Sequence, residues 1–458
     1  MDRKGIVEEI VEAPAIAVEK TIEGSVSAVE TLKTQKPFKQ IKKYWQVLGP
    51  GLVTGGADDD NSGVATYSQT GSQYGFQLLW LAAFTFPLMG LVQEMCARIG
   101  LVTKRGLAAN IRTLFPKWVL LLCATLLFAA NSFNIGADLG ALAESTRLLW
   151  PGANYSLLVI FFAALCLTLQ IFFNYRIYSR YLKYLTLLLF SYVLTAFFIR
   201  DINWLSVLKS AVLPSVDFSR EQVILICGVF GTTISPYLFF WQTSQEVEES
   251  LERDGSQEAL DKEVITRKQI REMRIDSWSG MFLSNAVMFF IIVVSAAVLF
   301  KNGITNIGTA AQAAEALRPL AGNSAYLLFA LGMFAVGLLA IPILAGSASY
   351  ALSEAFGWKE GLRWKLKEAY AFYGVIIFSM VVGVLLNFVG LDPIKALIYS
   401  AVANGLIAPV ILFLIVKIAS NRSVMGSHTN GHFSTALGWL TTAIMTVVGL
   451  ATIYSIFL

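Results

Sequence analysis

Residues 49 to 71 read GPGLVTGGADDDNSGVATYSQTG, with Asp58, Asp59, Asp60 and Asn61 set between apolar or small residues. A carboxylate at membrane depth is costly and marks an ion or substrate route. Gly55, Gly56, Asn61, Ser62 and Gly63 are poor helix-interior residues, so a helix crossing here is expected to break. A break frees backbone carbonyls, which a membrane tolerates only where protein or a water-filled cavity covers them. On an intact helix three successive carboxylates diverge by about 100° per residue and cannot face one ligand. In an unwound stretch one or two can turn toward a cation while the others stand behind it, hold protons or line its access path. The competing reading puts the cluster at a membrane surface, and the uncharged residues on both sides argue against it.

The rest of the chain agrees with a membrane setting. Of its 458 residues 56% are hydrophobic and only 14% are charged, where a soluble domain carries roughly 25% charge. The mean hydropathy is +0.62. Cys96, Cys123, Cys166 and Cys227 lie apart in apolar stretches, with neither metal spacing nor a disulfide framework, and read as buried thiols. His428 and His432 fall in a polar connection near the C-terminus, which excludes a histidine metal cluster. No nucleotide loop, nucleophile arrangement or hydrolase-like carboxylate pair is present. The expectation is no enzyme, no resident cofactor and no nucleic-acid partner.

Apolar segments of about 20 residues, enough to cross the bilayer, recur at 46–70, 76–97, 118–149, 155–175, 182–199, 221–247, 274–300, 321–353, 369–390, 393–418 and 434–457. With eleven crossings, 28 of the 35 Lys and Arg fall on the side of the N-terminus. That bias predicts a cytoplasmic N-terminus and an external C-terminus. Residues 1–44 read as a cytoplasmic arm, partly disordered or amphipathic. The connection from Glu248 to Asp276 reads as a solvated helical extension and loop, and 303–320 as a short external helix.

A second break is expected in the sixth crossing, CGVFGTTISPYLFFWQTSQEVEE at 227–249. Pro236 removes a backbone donor and clashes with the preceding turn, Gly228 and Gly231 loosen it, and Thr232, Thr233 and Ser235 add hydroxyls beside the freed carbonyls. Breaks in crossings one and six are what two inverted five-helix repeats meeting at a midplane site would produce. In the third crossing Asn131, Asn134 and Asp138 share one helix face. They fit either a polar pathway or interhelical hydrogen bonds. Gln93, Glu94, Ser347, Ser349, Glu354 and Asn387 are weaker candidates of the same kind.

GPGLVTGGADDDNSG, VATYSQTGSQYGFQLLW, GTTISPYLFF and NGLIAPVILFLIVKIASNRSVMG together resemble the NRAMP family of divalent-metal transporters, from about Leu48 onward. The resemblance implies an all-α polytopic protein of the LeuT-type fold, with repeats over about 45–200 and 218–419 and an additional helix at 433–457. The family's first-helix motif Asp-Pro-Gly-Asn lines up with Asp60, Asn61, Ser62 and Gly63, so its ligand Asp is kept and its ligand Asn is lost. Its sixth-helix Met-Pro-His becomes Ser235, Pro236 and Tyr237. The position whose carbonyl contacts metal matches Thr232, and a second histidine falls near Gln242.

The thioether that favours softer metals is therefore missing, and an all-oxygen site suits Mg²⁺ or Mn²⁺. Mg²⁺ keeps much of its water, and Gly63 would make room for it. The pattern resembles the NRAMP-related magnesium transporter branch. The implied metal site is Asp60, Asn61, Ser62, Gly63, Thr232, Thr233 and Ser235. Asp58, Asp59, Asn131, Asn134, Asp138, Tyr237 and Gln242 would stand behind it or along the pathway. Tyr237 and Gln242 replace imidazoles and cannot exchange protons near neutral pH. The expected activity is secondary transport of hydrated Mg²⁺, also Mn²⁺, by a monomer in a bacterial plasma membrane. The rivals are a proton-coupled Mn²⁺ or transition-metal transporter, a divalent-cation channel and a non-transporting sensor or scaffold.

Overall fold

The computed structural model describes residues 44–45, 47–173, 175–199, 202–254, 265–307, 310–389 and 393–457; the expected arm, Tyr44 apart, lies outside them. Residues from Gly49 onward form one compact unit, and every regular element described in it is helical. Helices α1 (Pro50–Asp58) and α2 (Asn61–Tyr74) are two halves of one crossing. They are followed by α3 (Trp80–Thr103), the short α4 (Leu107–Leu114), α5 (Lys117–Leu149), α6 (Tyr155–Phe172), α7 (Tyr175–Leu185), α8 (Phe190–Phe198) and α9 (Trp204–Val212). The second broken crossing is α10 (Arg220–Thr233) with α11 (Pro236–Asp254). Then come α12 (Arg267–Val298), α13 (Ala310–Phe356), α14 (Tyr370–Leu386), α15 (Pro393–Ala419) and α16 (His432–Phe457).

Among the described residues nine helical segments are long and apolar enough to cross a membrane. The interrupted α1–α2 pair and the 17-residue α14 bring the number to the expected eleven. Gly322 (φ 86°, ψ 170°) interrupts α13, separating the segment where a short helix was expected from the crossing. The distribution of side chains is that of a membrane protein. Leu157, Phe197 and Tyr454 are 67%, 68% and 69% exposed, while Asp58, Asp59, Asn61 and Asp138 are 0% exposed. Apolar groups face outward and polar groups are sequestered, as lipid demands.

Helix α1 is held in place by α12. A Cβ on Gly51 or Gly55 would meet the backbone of α12 at Ser277 or Gly280, so glycine lets the two helices touch. One turn before Gly280, the Asp276 carboxylate accepts the backbone N–H groups of Gly49 (2.7 Å), Gly51 (2.6 Å) and Leu52 (3.0 Å). It caps α1, whose own Gly49 supplies no side-chain cap.

The solvated reading of 248–276 needs correction. Glu249, Arg267 and Lys268 are exposed, but Glu248 and Asp276 are 4% and 3% exposed. Asp276 is engaged with α1, and Glu248 accepts the Tyr350 hydroxyl at 3.0 Å. Residues 255–264 lie outside the described residues. All four cysteines are buried and free, as expected.

Candidate metal site

At the first break the chain leaves α1 after Asp58 and re-enters a helix at Asn61, with Asp60 as the N-cap of α2. Asp60 Oδ1 accepts the Gly63 N–H at 2.8 Å and also the Ser62 hydroxyl. A carboxylate is well suited to this place, because the first turn of a helix has unmatched donors and a positive dipole end. The other oxygen, Oδ2, lies 3.4 Å from the Tyr237 hydroxyl. That hydroxyl donates to the Ala57 carbonyl at 2.7 Å, one of the carbonyls freed at the end of α1. Tyr237 is the second residue of α11, so a single phenol joins the two breaks.

Two further helices hold the acidic stretch. Asp138 on α5 accepts the Asn61 backbone N–H at 3.1 Å. Ser284 on α12 donates to Asp58 Oδ2 (2.6 Å), with Asp59 Oδ1 at 3.4 Å. Asp58 Oδ1 and Asp59 Oδ2 are buried without a hydrogen-bond partner. Buried polar atoms are nearly always matched, so these two oxygens are suited to a proton or to a cation's water.

At the second break α10 ends at Thr233 and α11 begins at Pro236, where a missing N–H costs nothing. The Ser235 hydroxyl donates to the carbonyls of Gly231 (2.9 Å) and Thr232 (2.6 Å). The Thr232 hydroxyl lies 3.2 Å from the Tyr67 hydroxyl, which ties the second break to α2. Thr233 turns its hydroxyl to its own helix, at the Val229 carbonyl.

The structure thus gathers Asp60, Asn61, Ser62, Gly63, Asp138 and Tyr237 at the first break and links Thr232 to it through Tyr67. Asn131 turns its amide to another helix, donating to the Leu344 carbonyl (2.9 Å) and the Ser347 hydroxyl (2.7 Å) on α13, while its Oδ1 is buried without a partner. Gln242 accepts from Thr54 at 2.5 Å and donates to Glu246 at 2.9 Å, joining α1 to α11. Of the weaker candidates, Glu94 and Asn387 are framework groups as well, whereas both amide atoms of Gln93 are buried without a partner. Glu94 pairs with Arg274 (2.9 Å) and Trp278 (2.8 Å), and Asn387 bonds Tyr155 and the Gly136 carbonyl. His432 is exposed.

The space expected at Gly63 is partly taken. A Cβ there would lie 3.2 Å from the ring of Tyr67, one turn further along α2. Tyr67 could have been found from the sequence, since it shares a helix face with Gly63. Ser284 and Asp276 carried no such signal.

Asp60, Ser62, Thr232, Ser235 and Tyr237 are each at most 1% exposed. The site is therefore occluded. Among the described residues no three His, Cys, Asp or Glu side chains come together as a chelating group. The donors are carboxylate, hydroxyl and backbone oxygens, a set that suits a hard cation. The Ala57, Gly231 and Thr232 carbonyls already accept hydroxyls, but each has a second lone pair open to a metal-bound water.

Comparison with known proteins agrees with this architecture. The family profile described as "Natural resistance-associated macrophage protein-like", Nramp, matches residues 51–455. The divalent metal cation transporter MntH of Aeromonas hydrophila is 26% identical over 431 residues, covering 92% of this chain and 97% of that protein. The MntH of Bacillus subtilis is 24% identical over 401 residues, covering 86% and 88%. The crystal structure of the Eremococcus coleocola manganese transporter superposes with a TM-score of 0.71 at 20% identity, over 89% of this chain and 86% of that one. A Na⁺-coupled sialic acid symporter in an outward-open state follows at a TM-score of 0.51 and 15% identity, over 91% and 90%. The fold is the LeuT type, and the chain belongs to the Nramp family.

Proposed function

We propose that the chain is a secondary transporter that moves hydrated divalent cations, Mg²⁺ and also Mn²⁺, by alternating access and without an imidazole-borne proton route. The observation that carries this is the occluded Asp60, flanked by the Ser62 and Tyr237 hydroxyls and facing a second helix break made only of oxygen donors. The relatives are named as divalent metal cation transporters and the solved neighbour as a manganese transporter, which supports the cargo class. Both histidines of the chain, His428 and His432, fall in the connection before and at the start of α16. A proton route through the site would have to use carboxylates.

In this reading Asp60 anchors the ion. Asn61, Ser62, Thr232 and Ser235 hold its water through side-chain or backbone oxygens, while Asp58, Asp59 and Asp138 balance its charge from behind. In the same reading the repeats span 45–200 and 218–419 with the helix at 433–457 outside them, and the N-terminus is cytoplasmic, which the excess of Lys and Arg in alternate loops supports. At 100 mV, inside negative, the membrane potential favours entry of a doubly charged ion by about 4.6 kcal/mol, so uptake needs no second gradient.

The test is uptake by the purified protein in liposomes, followed with an internal magnesium dye and a lumenal pH indicator. Saturable Mg²⁺ entry without acidification, lost in Asp60→Ala, is the expected result. Exclusion of Mg²⁺ while Mn²⁺ enters with protons would replace this reading by the proton-coupled one. Non-saturating flux would favour a channel, and no flux of either ion a sensor or scaffold.

A further inference from the structure

A second group of carboxylates lies outside the central site. A cavity of about 960 Å³ is lined by the end of α3, by α4, by α11 and by the loop after α13, and three glutamates, Glu248, Glu354 and Glu360, face it. Glu354 is committed to the frame, since it accepts the Ala109 N–H (2.9 Å) and the Ser244 hydroxyl (3.1 Å) and so caps α4. Glu248 and Glu360 are different. Glu248 is 4% exposed, its Oε1 accepts the Tyr350 hydroxyl, and its Oε2 is buried with no partner. Glu360 Oε2 is likewise buried and unpartnered.

The loop is shaped to bring these two together. Gly361, the residue after Glu360, has φ +117°, and a Cβ on it would collide with Glu248 Oε1. Only glycine accepts that backbone and that contact. The next N–H, of Leu362, donates to the Tyr350 hydroxyl at 3.3 Å, pinning the loop over α13. Burial, reinforced by the nearby Glu354 and Glu248 carboxylates, pushes the Glu360 carboxyl up to about 10. Arg363 opposes this and favours the charged form of Glu248 as well, with its guanidinium held 4.9 Å over the Trp364 ring. Lys104 and Arg105 also line the cavity; Arg105 is exposed.

We propose that Glu248 and Glu360 form a second, weaker site for a hydrated divalent cation. A small hard cation bound by one or two carboxylates with most of its waters kept is the usual form for Mg²⁺. That form matches two unpartnered carboxyl oxygens buried at the wall of a roomy polar cavity that lacks three converging ligands, and a bound cation would displace the proton that Glu360 otherwise holds. Ser244, on the cavity wall, is seven residues from Tyr237 on α11, about 10 Å along the helix. The cavity thus begins two turns from the central site, on the side that the basic loops assign to the cytoplasm. The inference rests on the divalent-cation reading given above.

Mn²⁺ binding to the purified full-length protein, counted by electron paramagnetic resonance of the free ion, separates the two ideas. The wild type is expected to bind two ions, Asp60→Ala one, and Asp60→Ala with Glu248→Gln and Glu360→Gln none. One ion in the wild type and none in Asp60→Ala would overturn the second site and leave the central one standing. No ion in the wild type would overturn both. An ion that persists in the triple variant would place it elsewhere and overturn the assignment to these glutamates. Should the triple variant fail to fold, Asp60→Ala with the less buried Glu360→Gln alone is expected to weaken the remaining site about tenfold, and unchanged affinity would overturn the proposal.

Discussion

At the first break the chain supplies carboxylates, Asp58, Asp59 and Asp60, within one turn of each other; at the second it supplies only hydroxyls and carbonyls, from Gly231 to Ser235. The two are also held differently. The acidic stretch is gripped by three other helices, through Tyr237 on α11, Asp138 on α5 and Ser284 on α12. The neutral stretch is held mainly by itself, with Ser235 and Thr233 bonded to carbonyls of their own helix. Charge is thus concentrated where the surrounding helices control it, and the opposite side contributes oxygen positions that a cation's water can use. The carbonyl end of α10 carries the negative end of a helix dipole, so a cation is favoured there without a formal charge.

The sharpest way to break this contrast is Asp60→Asn. Asparagine is about as good an N-cap as aspartate, so α2 should keep its start while the anchor charge disappears. Liposome Mg²⁺ uptake is expected to fall to the protein-free background with the thermal midpoint nearly unchanged. Uptake that survives would mean that Asp60 is a cap and that the charge comes from Asp58 or Asp59.

A smaller effect is expected from Tyr237→Phe, which removes the hydroxyl that reaches from α11 to Asp60 and Ala57. It leaves the Ala57 carbonyl without its 2.7 Å partner, and a lost buried hydrogen bond costs about 1–3 kcal/mol. Concentration dependence of uptake should show KM for Mg²⁺ raised about tenfold, the equivalent of 1.4 kcal/mol. An unchanged KM would make Tyr237 a packing group and leave the Thr232–Tyr67 contact as the link between the two breaks.

Smaller again is Ser235→Met, which brings a thioether to the neutral side. Soft ligands select soft metals, so Cd²⁺ uptake relative to Mg²⁺ should rise severalfold. No gain over the parent would count against the oxygen-only account of selectivity.

Both breaks were legible in the sequence because their causes are local. Glycines, asparagine and proline disfavour helix wherever they stand, and buried acids between apolar runs are conspicuous. Asp60 as a cap was implicit in its own neighbours, Ser62 and Gly63. What could not be read is whatever depends on a distant partner. Nothing near Asp276 or Ser284 announces that one caps α1 and the other meets Asp58, more than 220 residues away. Glu248 looked solvated for the same reason, since its burial comes from Tyr350 and from the loop at Gly361. The space credited to the missing side chain at Gly63 was also misjudged, because volume is a property of the packed neighbours and Tyr67 occupies part of it.

Asp276 offers the mildest test, and it separates a carboxylate that binds cargo from one that holds the frame. Its two oxygens accept three N–H groups, Gly49 and Leu52 on Oδ1 and Gly51 on Oδ2. In Asp276→Asn one of those oxygens becomes an NH₂ that cannot accept, so one or two of the bonds are lost along with the charge. Hydrogen bonds to charged groups contribute about 1.5–3 kcal/mol each, so unfolding in detergent should come earlier by roughly 2 kcal/mol. KM for Mg²⁺ should stay within about twofold, because α1 is also fixed by its glycine contacts with α12. A large change in KM with little loss of stability would show that the cap on α1 tunes the break at its other end. In that case the nine residues of α1 would have to be counted as part of the gate as well as its support.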